Sequence, residues 1–371
     1  MKVMTIVGTR PEIIKLSRVI ARLDEVTDHV LIHTGQNHEY ELNQIFFDEM
    51  GLRAPDQFLE VVGSNLAETV GNIIIKSDEV MEAEQPDALL VLGDTNSALS
   101  VLSAKRRHIP IFHMEAGNRC FDQRVPEETN RKVVDHVSDI NMPYTEHARR
   151  YLLTEGLPAD RIIKTGSPMR EVLDHYRGAV AASSVHERLG VELGGYFTAS
   201  VHREENVDDP ARLALLVESL NTVVRQYGLP MVLSTHPRTR DRLAGSGLAF
   251  DESIKMLPPL GFPDYVALQK HAFCTISDSG TITEESALVG FPAITVREAH
   301  ERPEGMDEGV LVMSGLDPVA VTQAVGLARA NFDATGPPSI PPDYLVDDVS
   351  WKVAKIILSY TEYVNRLVWH K

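Results

Sequence analysis

Short apolar runs alternate with longer segments of helical periodicity along almost the whole 371-residue chain, and this alternation constrains the fold more than any other feature. Runs such as VMTIVGT and ALLVLGD are rich in β-branched residues and apolar, as expected for parallel strands covered on both faces. Between them lie segments such as NLAETVGNIIIKSDEVMEAE, where one helical face carries Leu66, Val70, Ile73 and Ile74. This pattern predicts βαβ units and therefore an α/β fold with parallel sheets.

The pattern restarts after a polar stretch at residues 181–195, which separates two sets of predicted strands. The first set ends with RIIKTG, and the second comprises GYFTASVH, MVLSTH, CTISDS, PAITVR and VLVMSG. We therefore predict two Rossmann-like domains, over residues 1–168 and 169–349, with a C-terminal helix at 350–371 packing back on the first. Two doubly wound domains usually enclose a cleft, and ligands bind beyond the carboxyl ends of their strands.

Composition excludes several classes of partner. The formal net charge of −17 argues against nucleic acid or an anionic membrane as the main partner. No apolar run approaches the ~20 residues that span a bilayer, and the N-terminus does not resemble a secretory signal, so we expect a cytoplasmic protein. The two cysteines, Cys120 and Cys274, lie in no metal-ligand spacing and exclude a disulfide framework.

Ionisable side chains follow several strands of the first half. A loop after the first strand carries Arg10 and then Lys15, which could meet an anion at the start of a helix. Asp94 ends ALLVLGD, and Glu115 ends IFHME in the same way. A helix then opens at PEETNRK with Glu127 and its neighbouring glutamate in the first turn. Those two carboxylates could also simply complement the helix dipole.

The second half offers two histidines and one stronger local signal. His202 and His236 each end a strand, although a single histidine in such a place is more often structural. In TISDSGTITEE a strand ends just before a helix that we expect to begin at Thr281. Ser279, Gly280 and the free amides of that helix start predict a phosphate cradle, and a carboxylate one turn on could accept ribose hydroxyls. An ordinary capped helix would show the same pattern.

Motifs for other chemistries are absent. The chain has no GxGxxG, no GxxxxGK[ST] and no HExxH, so neither dinucleotide binding, phosphoryl transfer nor zinc is indicated. We therefore expect no cofactor and no metal. Carboxylates, one or two histidines and arginines form a set that suits proton transfer beside a leaving phosphate.

Nine segments taken together resemble the non-hydrolysing UDP-N-acetylglucosamine 2-epimerase family: VGTRPEIIK, GDTNS, HMEAGNR, PEETNR, TGSP, SVHREEN, STHPR, SDSGTITEE and ERPE. They span residues 7–304, nearly the whole chain. The resemblance implies two Rossmann-like domains facing a deep cleft (the glycosyltransferase-B arrangement), a homodimer and a UDP-sugar as partner. It also implies a two-step reaction: carbon 2 loses a proton as UDP leaves carbon 1, and UDP then adds back with protonation from the opposite face.

The resemblance also implies roles for single residues. The positions that match proton transfer and substrate handling are Asp94, Glu115, Glu127 and His202. Opposite-face proton events need two differently placed groups, and we expect Asp94 and Glu127 to be that pair, with Glu115 next. The positions that match substrate or UDP binding are Arg10, Lys15, Arg131, His236, Ser279, Gly280, Thr281 and Glu285. Of these, the first two are expected to meet the diphosphate, residues 279–281 a phosphate, and Glu285 the ribose hydroxyls.

Longer segments look like one branch of that family, the UDP-N-acetyl-L-fucosamine synthases: TGQNHEYELNQIFFDE, HMEAGNRCFDQ, VDHVSDINMPYTEHARRYLL, TGSPM and NRLVW. We therefore expect carbon 2 inversion of UDP-2-acetamido-2,6-dideoxy-L-talose for capsule or O-antigen, with UDP-GlcNAc/UDP-ManNAc epimerisation as the alternative. Many bacterial members carry Gln-His-Arg, in a segment that binds an activating UDP-GlcNAc, where this chain has Gln36-Asn37-His38. That departure argues against such activation. A UDP-sugar transferase of the same fold, a silent UDP-sugar-binding regulator and a hydrolysing relative remain open.

Overall fold

The computed structural model describes residues 1–35, 47, 49–235 and 237–371. The chain divides into two compact units, residues 1–172 with 342–371 and residues 173–341. One helix, α6 (Met169–Ala181), carries the chain from the first unit to the second. Within the described ranges, no helix combines the length and apolar character needed to cross a membrane.

The first unit alternates strands and helices around one sheet. Its elements are β1 (Lys2–Val7), α1 (Arg10–Val26), β2 (Asp28–His33), β3 (Gln57–Phe58), α2 (Leu66–Glu84), β4 (Ala88–Leu92), α3 (Val101–Arg106), β5 (Ile111–Met114), α4 (Pro126–Val137), β6 (Ile140–Met142), α5 (Glu146–Thr154) and, from the C-terminus, α15 (Val349–Leu367). The described strands pair in parallel in the order β3-β2-β1-β4-β5-β6.

The second unit repeats this design. Its elements are α7 (Val185–Leu189), β7 (Phe197–Ser200), α8 (Glu204–Val207), α9 (Pro210–Tyr227), β8 (Met231–Ser234), α10 (Pro237–Ser246), β9 (Ile254–Leu257), α11 (Phe262–Lys270), β10 (Cys274–Ser277), α12 (Ile282–Glu285), β11 (Ala293–Thr295), α13 (Pro303–Asp307), β12 (Val312–Met313) and α14 (Pro318–Thr335). The strand order is β12-β11-β10-β7-β8-β9, again parallel throughout the described strands.

Both sheets therefore have the doubly wound order, and the predicted α/β class with two Rossmann-like sheets is confirmed. The chain reverses direction across each sheet at a pair of central strands, β1 and β4 in the first unit and β7 and β10 in the second. In such sheets a crevice forms beyond the carboxyl ends of the two central strands. The loops that follow those strands are thus the places to search for a site.

Helices cover both faces of each sheet, and the apolar side chains of the strands are buried against them. In the first unit one buried cluster joins Ile6 of β1, Leu89 of β4 and Ile111 of β5 to Ile73 of α2 and Val134 of α4. Burying such side chains stabilises the fold by about 1.5–3 kcal/mol each. The C-terminal helix α15 belongs to the first unit. There the Trp351 ring lies 3.8 Å from the Arg22 guanidinium of α1.

Some of the predicted elements are wrong in detail. RIIKTG is not a strand: its start closes a 3₁₀ turn, and only Ile162 pairs, in a single bridge with Asn141. Leu66, predicted on the buried face of α2, is 64% exposed because it begins the helix beyond the edge of the core. Two short strands, β3 and β9, were not predicted: β3 has only two residues, and Lys255 interrupts the apolar residues of β9.

Candidate active site

The loops after β1 and β4 meet on one buried carboxylate. Glu12 of α1 is 1% exposed. Its Oε2 accepts hydrogen bonds from the Gly8 N–H (3.1 Å) and the Thr9 hydroxyl (2.8 Å). Its Oε1 accepts one from the Thr95 hydroxyl (3.1 Å), which follows Asp94 in the loop after β4. Glu12 therefore ties together the two loops at the point where the strand order reverses.

Burial raises the pKa of Glu12 from 4.5 to about 7, although hydrogen bonds from Thr9, Gly8 and Thr95 oppose the shift. In the unfolded chain the group has lost its proton well below pH 7, whereas the folded protein still holds it. The contribution of Glu12 to stability is therefore present below pH 4.5 and is lost as the pH rises through 7.

We expect the Glu12→Gln variant, which cannot titrate at this position, to reveal that loss. Between pH 4.5 and 7 the wild type should lose about 3 kcal/mol of unfolding free energy relative to the variant, from 1.36 kcal/mol per pKa unit. Urea denaturation at a series of pH values measures the difference. Glu25→Gln, at an exposed site on the same helix, corrects for the removed charge. A gap between wild type and Glu12→Gln that does not vary with pH would contradict the expectation.

A second buried contact joins α1 to the loop after β5. Lys15 Nζ lies 2.6 Å from Glu115 Oε2, with 6% and 11% of the two side chains exposed. The Asn118 amide donates to the other oxygen of Glu115 at 3.2 Å. Glu115 has a left-handed backbone (φ +62°), a conformation that costs a non-glycine residue energy and that often marks functional sites. The loop thus holds the carboxylate at the end of β5, where a Cβ on Gly93 would lie 3.9 Å from it.

Helix α4 fixes the loop that carries Asp94. Arg131 of α4 donates to Asp94 Oδ2 at 2.5 Å and to Glu128 Oε2 at 3.1 Å. The Asn130 amide donates to the main-chain carbonyl of Asp94 at 3.1 Å. Arg131 is buried, whereas the Asp94 side chain keeps about a quarter of its surface exposed (26%). Asp94 is therefore both anchored and accessible.

The predicted residues of the first unit occupy different environments. The structure brings Lys15 next to Glu115, and Arg131 next to Asp94. Arg10 begins α1 and is half-buried. Glu127 is half-buried in the first turn of α4, while its neighbour Glu128 is fully buried and forms an ion pair with Arg131.

Gly117 shows how tightly the loop after β5 is packed. Its backbone is left-handed (φ +81°), and an added Cβ would lie 2.5 Å from the Ala148 carbonyl oxygen and 2.8 Å from Leu152 Cγ. We expect Gly117→Ala to lower the free energy of unfolding by about 2 kcal/mol, because a backbone atom cannot yield. Gly71→Ala in α2, where a Cβ meets nothing within 4 Å, is the control and should raise stability by about 0.5–1 kcal/mol. Equal effects in chemical denaturation would contradict this reading of the loop.

In the second unit a buried aspartate joins two loops, as Glu12 does in the first. Asp278, directly after β10, accepts hydrogen bonds from the main-chain N–H groups of His202 (3.1 Å) and Arg203 (2.9 Å) and from the Asn206 amide (3.1 Å). It thus joins the loops after β7 and β10, the two central strands. His202 Nδ1 lies 3.4 Å from the same carboxylate, and 40% of its side chain is exposed.

The segment after Asp278 forms a connected polar surface. The hydroxyls of Ser279 and Thr281 lie 2.9 Å apart, and Thr281 donates to Glu285 Oε1 at 2.7 Å. The other oxygen of Glu285 accepts the Gln269 amide at 2.6 Å. A Cβ on Gly280 would lie 3.3 Å from the Glu301 carboxylate. The helical segment begins at Ile282, one residue later than expected, with Thr281 as its cap.

Two predicted features lie in residues that the structure does not describe. His236 and the Gln36-Asn37-His38 sequence lie outside the described residues. In the part of the chain that the structure describes, no group of three or more His, Cys, Asp or Glu side chains is placed to hold a metal ion.

The sequence assigned no role to several buried polar residues that shape these loops, namely Glu12, His113, Asp135 and Asp278. Two of them carry a visible signal: Asp278 directly follows a buried strand, and His113 interrupts the apolar strand IFHM. A polar residue inside a buried strand needs a partner, which indicates a specific contact. Asp135 gives no such signal, because an aspartate on a helix is usually exposed.

Known proteins share this fold and are similar in sequence. The sequence model of the UDP-N-acetylglucosamine 2-epimerase family matches residues 21–358. A UDP-N-acetylglucosamine 2-epimerase structure from Rickettsia bellii is 52% identical, with all of both chains covered and a TM-score of 0.92. The Methanocaldococcus jannaschii UDP-GlcNAc 2-epimerase in complex with UDP-GlcNAc and UDP is 31% identical, with 97% of this chain and 100% of that chain covered and a TM-score of 0.91. A UDP-2,3-diacetamido-2,3-dideoxy-D-glucuronate 2-epimerase from Pseudomonas aeruginosa is 34% identical over 85% of this chain and 88% of its own length.

The fold and the matching relatives define an enzyme of the isomerase class. The chain belongs to the UDP-N-acetylglucosamine 2-epimerase family.

Proposed function

We propose that the protein is a non-hydrolysing 2-epimerase of a UDP-N-acetylhexosamine. In the first step the carbon 2 proton leaves to a base and the bond between carbon 1 and the UDP oxygen breaks, giving a 2-acetamidoglycal and UDP. In the second step that bond re-forms and carbon 2 takes a proton on its opposite face. The observation that carries the proposal is the pair of ion contacts Lys15–Glu115 and Asp94–Arg131 at the carboxyl end of the first sheet, in a chain of this family.

The carboxylates supply the proton chemistry. Removal and return of a proton on opposite faces need two groups in different places, and we assign them to Asp94 and Glu127. Glu115, held by Lys15, is the next candidate, and His202 handles the substrate. Asp94 suits its role because Arg131 and the neighbouring asparagine fix its position while part of its surface stays accessible.

Cationic and hydroxyl groups supply the binding of UDP. We assign the diphosphate to Arg10 and Lys15, because a leaving pyrophosphate needs positive charge as it departs. Residues 279–281 contact a phosphate through their hydroxyls and amides. Glu285 takes the ribose hydroxyls; its carboxylate is held in place by the Gln269 amide and the Thr281 hydroxyl. Arg131 and His236 complete the set that we assign to substrate or nucleotide.

Two sugars compete as the natural substrate. The names of the R. bellii and M. jannaschii relatives support UDP-GlcNAc and its epimer UDP-ManNAc. The motif resemblance supports UDP-2-acetamido-2,6-dideoxy-L-talose, whose epimer is UDP-N-acetyl-L-fucosamine. Both carry UDP at carbon 1 and an acetamido group at carbon 2, and the proposed reaction needs only these two features. The resemblance further supports a cytoplasmic location and a homodimer. Sedimentation analysis tests the oligomeric state.

Deuterium exchange tests the proposal directly. The protein is incubated in deuterium oxide with UDP-GlcNAc, UDP-ManNAc or the L-talose derivative, without any acceptor, and carbon 2 is followed by NMR. Deuterium at carbon 2 together with the epimer is the expected result, and the sugar that exchanges fastest identifies the substrate. An unlabelled sugar in all three reactions overturns the proposal and leaves a transferase or a silent binder. Release of free sugar and UDP would identify a hydrolysing enzyme instead.

A further inference from the structure

A fully buried carboxylate contacts both strand β5 and the loop that follows it. Asp135 of α4 has no exposed surface. It accepts the Gly117 N–H at 3.1 Å and the Arg119 guanidinium at 2.7 Å. His113 Nδ1 of β5 lies 3.0 Å from its Oδ1. One side chain therefore touches the strand that ends at Glu115 and the loop that follows it.

The other nitrogen of His113 reaches the loop after β4. Nε2 lies 2.8 Å from the Gly93 carbonyl oxygen, and the Gly93 N–H in turn donates to the Met114 carbonyl at 2.9 Å. Both sides of the Gly93 peptide unit are thus held by β5. Asp94 is the next residue, so its main chain starts from a fixed point.

His113 links Asp135 to the loop after β4. The Gly93 carbonyl can only accept, so Nε2 donates to it. Burial raises the pKa of Asp135, but His113 and Arg119 outweigh burial and leave this pKa below its usual value, so the carboxylate is ionised. The Asp135 carboxylate thus lies against Nδ1 of a ring whose Nε2 holds the Gly93 carbonyl.

The cluster contains a cation between two anions. Arg119 pairs with Asp135 and with Glu155, which accepts two guanidinium bonds at 2.8 and 2.6 Å. Buried ion clusters of this kind seldom add net stability over apolar packing. Their presence at this position calls for another role, and the groups they hold are the two main-chain segments beside Asp94 and Glu115.

We propose that Asp135 is a positioning residue, which acts through the His113 ring and the Gly117 N–H to set the spacing between Asp94 and Glu115. This inference rests on the proposed epimerase function. Asp135 does not touch the substrate. It matters because an error of about 1 Å in the placement of reacting groups can slow a reaction about 10²-fold.

Asp135→Asn tests the positioning role against a matched control. The variant removes the anion but keeps the shape, and we expect kcat to fall about 10²-fold with KM nearly unchanged. Asp139→Asn is the control: Asp139 is also buried, accepts the Ile111 N–H (3.0 Å) and pairs with Lys105 (2.5 Å), but holds neither loop. It should lose stability and keep its kcat. If both variants lost stability and kept kcat, Asp135 would be merely structural and the proposal overturned.

Two substitutions of His113 separate its two contacts. The amide nitrogen of glutamine reaches about as far as Nε2, whereas that of asparagine reaches about as far as Nδ1. His113→Gln keeps a donor for the Gly93 carbonyl but loses the contact with Asp135, whereas His113→Asn keeps a donor near Asp135 but loses the Gly93 carbonyl. Because the proposal needs both contacts, each variant should lower kcat about as much as Asp135→Asn, with KM nearly unchanged. A folded variant of either kind with the wild-type kcat overturns the proposal even if Asp135→Asn does not fold.

A readout without activity separates this inference from the proposed function. In the ¹H–¹⁵N NMR spectrum, the Gly93 amide resonance should shift in Asp135→Asn and stay in place in Asp139→Asn, because only Asp135 reaches Gly93 through His113. An unmoved Gly93 resonance in Asp135→Asn overturns the inference and leaves the function untouched. Failure of carbon 2 exchange with all three sugars overturns the function, whatever the NMR result.

Discussion

Replacing Asp94 with asparagine is expected to slow deuterium incorporation at carbon 2 by about 10²- to 10⁴-fold, the usual range for a lost acid or base. Asparagine keeps the size and the hydrogen-bonding oxygen of the side chain but cannot take up a proton. The side chain is partly exposed and Arg131 retains its contact with Glu128, so the free energy of unfolding should change by about 1 kcal/mol or less. Single-turnover exchange with the preferred sugar measures the rate, and thermal unfolding measures the stability.

Asp78→Asn is the matched control for Asp94→Asn. Asp78 of α2 is also an aspartate held by an arginine, with both of its oxygens 2.6 Å from Arg107, and 42% of its side chain is exposed. It lies on a helix and not in a loop after a strand. We expect wild-type exchange from this variant. If Asp94→Asn also exchanged within about twofold of the wild type, Asp94 would have no place in the chemistry.

Replacing Lys15 with methionine is expected to lower the free energy of unfolding by about 3–5 kcal/mol. The methionine fills similar volume, but Glu115 is left without the cation that lies 2.6 Å from it, with only 11% of its side chain exposed. Removing one member of a buried ion pair is far more costly than removing both, because a lone charge remains in a poorly solvated place. Guanidinium denaturation at low protein concentration measures the loss.

A double-mutant cycle isolates this effect. Glu115→Gln alone leaves a buried ammonium group, whereas Lys15→Met combined with Glu115→Gln leaves no charge. We expect the double variant to recover at least half of the stability lost in Lys15→Met, while its exchange activity stays low because both proposed site groups are gone. Additive losses of stability would show that the two side chains do not interact in solution.

The fold was predictable because buried parallel strands leave a simple trace in the sequence. Every residue of ALLVL in β4 is buried, and its apolar run ends where the loop begins. The prediction was wrong at RIIKTG, where Ile162 lies at the edge of the sheet and only a single bridge forms. Hydrophobic runs report burial, but they do not report whether a neighbouring strand is present to pair with.

The candidate site was partly predictable for a related reason. Asp94 and Glu115 stand directly after apolar strands, and such strand ends converge at one edge of a parallel sheet. Their partners could not be predicted, because Lys15 and Arg131 come from helices whose orientation over the sheet is decided by packing. Glu12 is hidden in the same way, since nothing in its neighbourhood along the chain reveals that Thr95 will bond to it.

The way in which Asp278 holds the loop after β7 determines which substitutions this loop can accept. The carboxylate grips the main-chain amides of residues 202 and 203, not their side chains. The path of the chain at this point therefore does not depend on which side chain residue 202 carries. A substitution at that position can therefore change the side chain that we assign to substrate handling while the main chain keeps its path, and we expect this loop to accept such changes with little loss of stability.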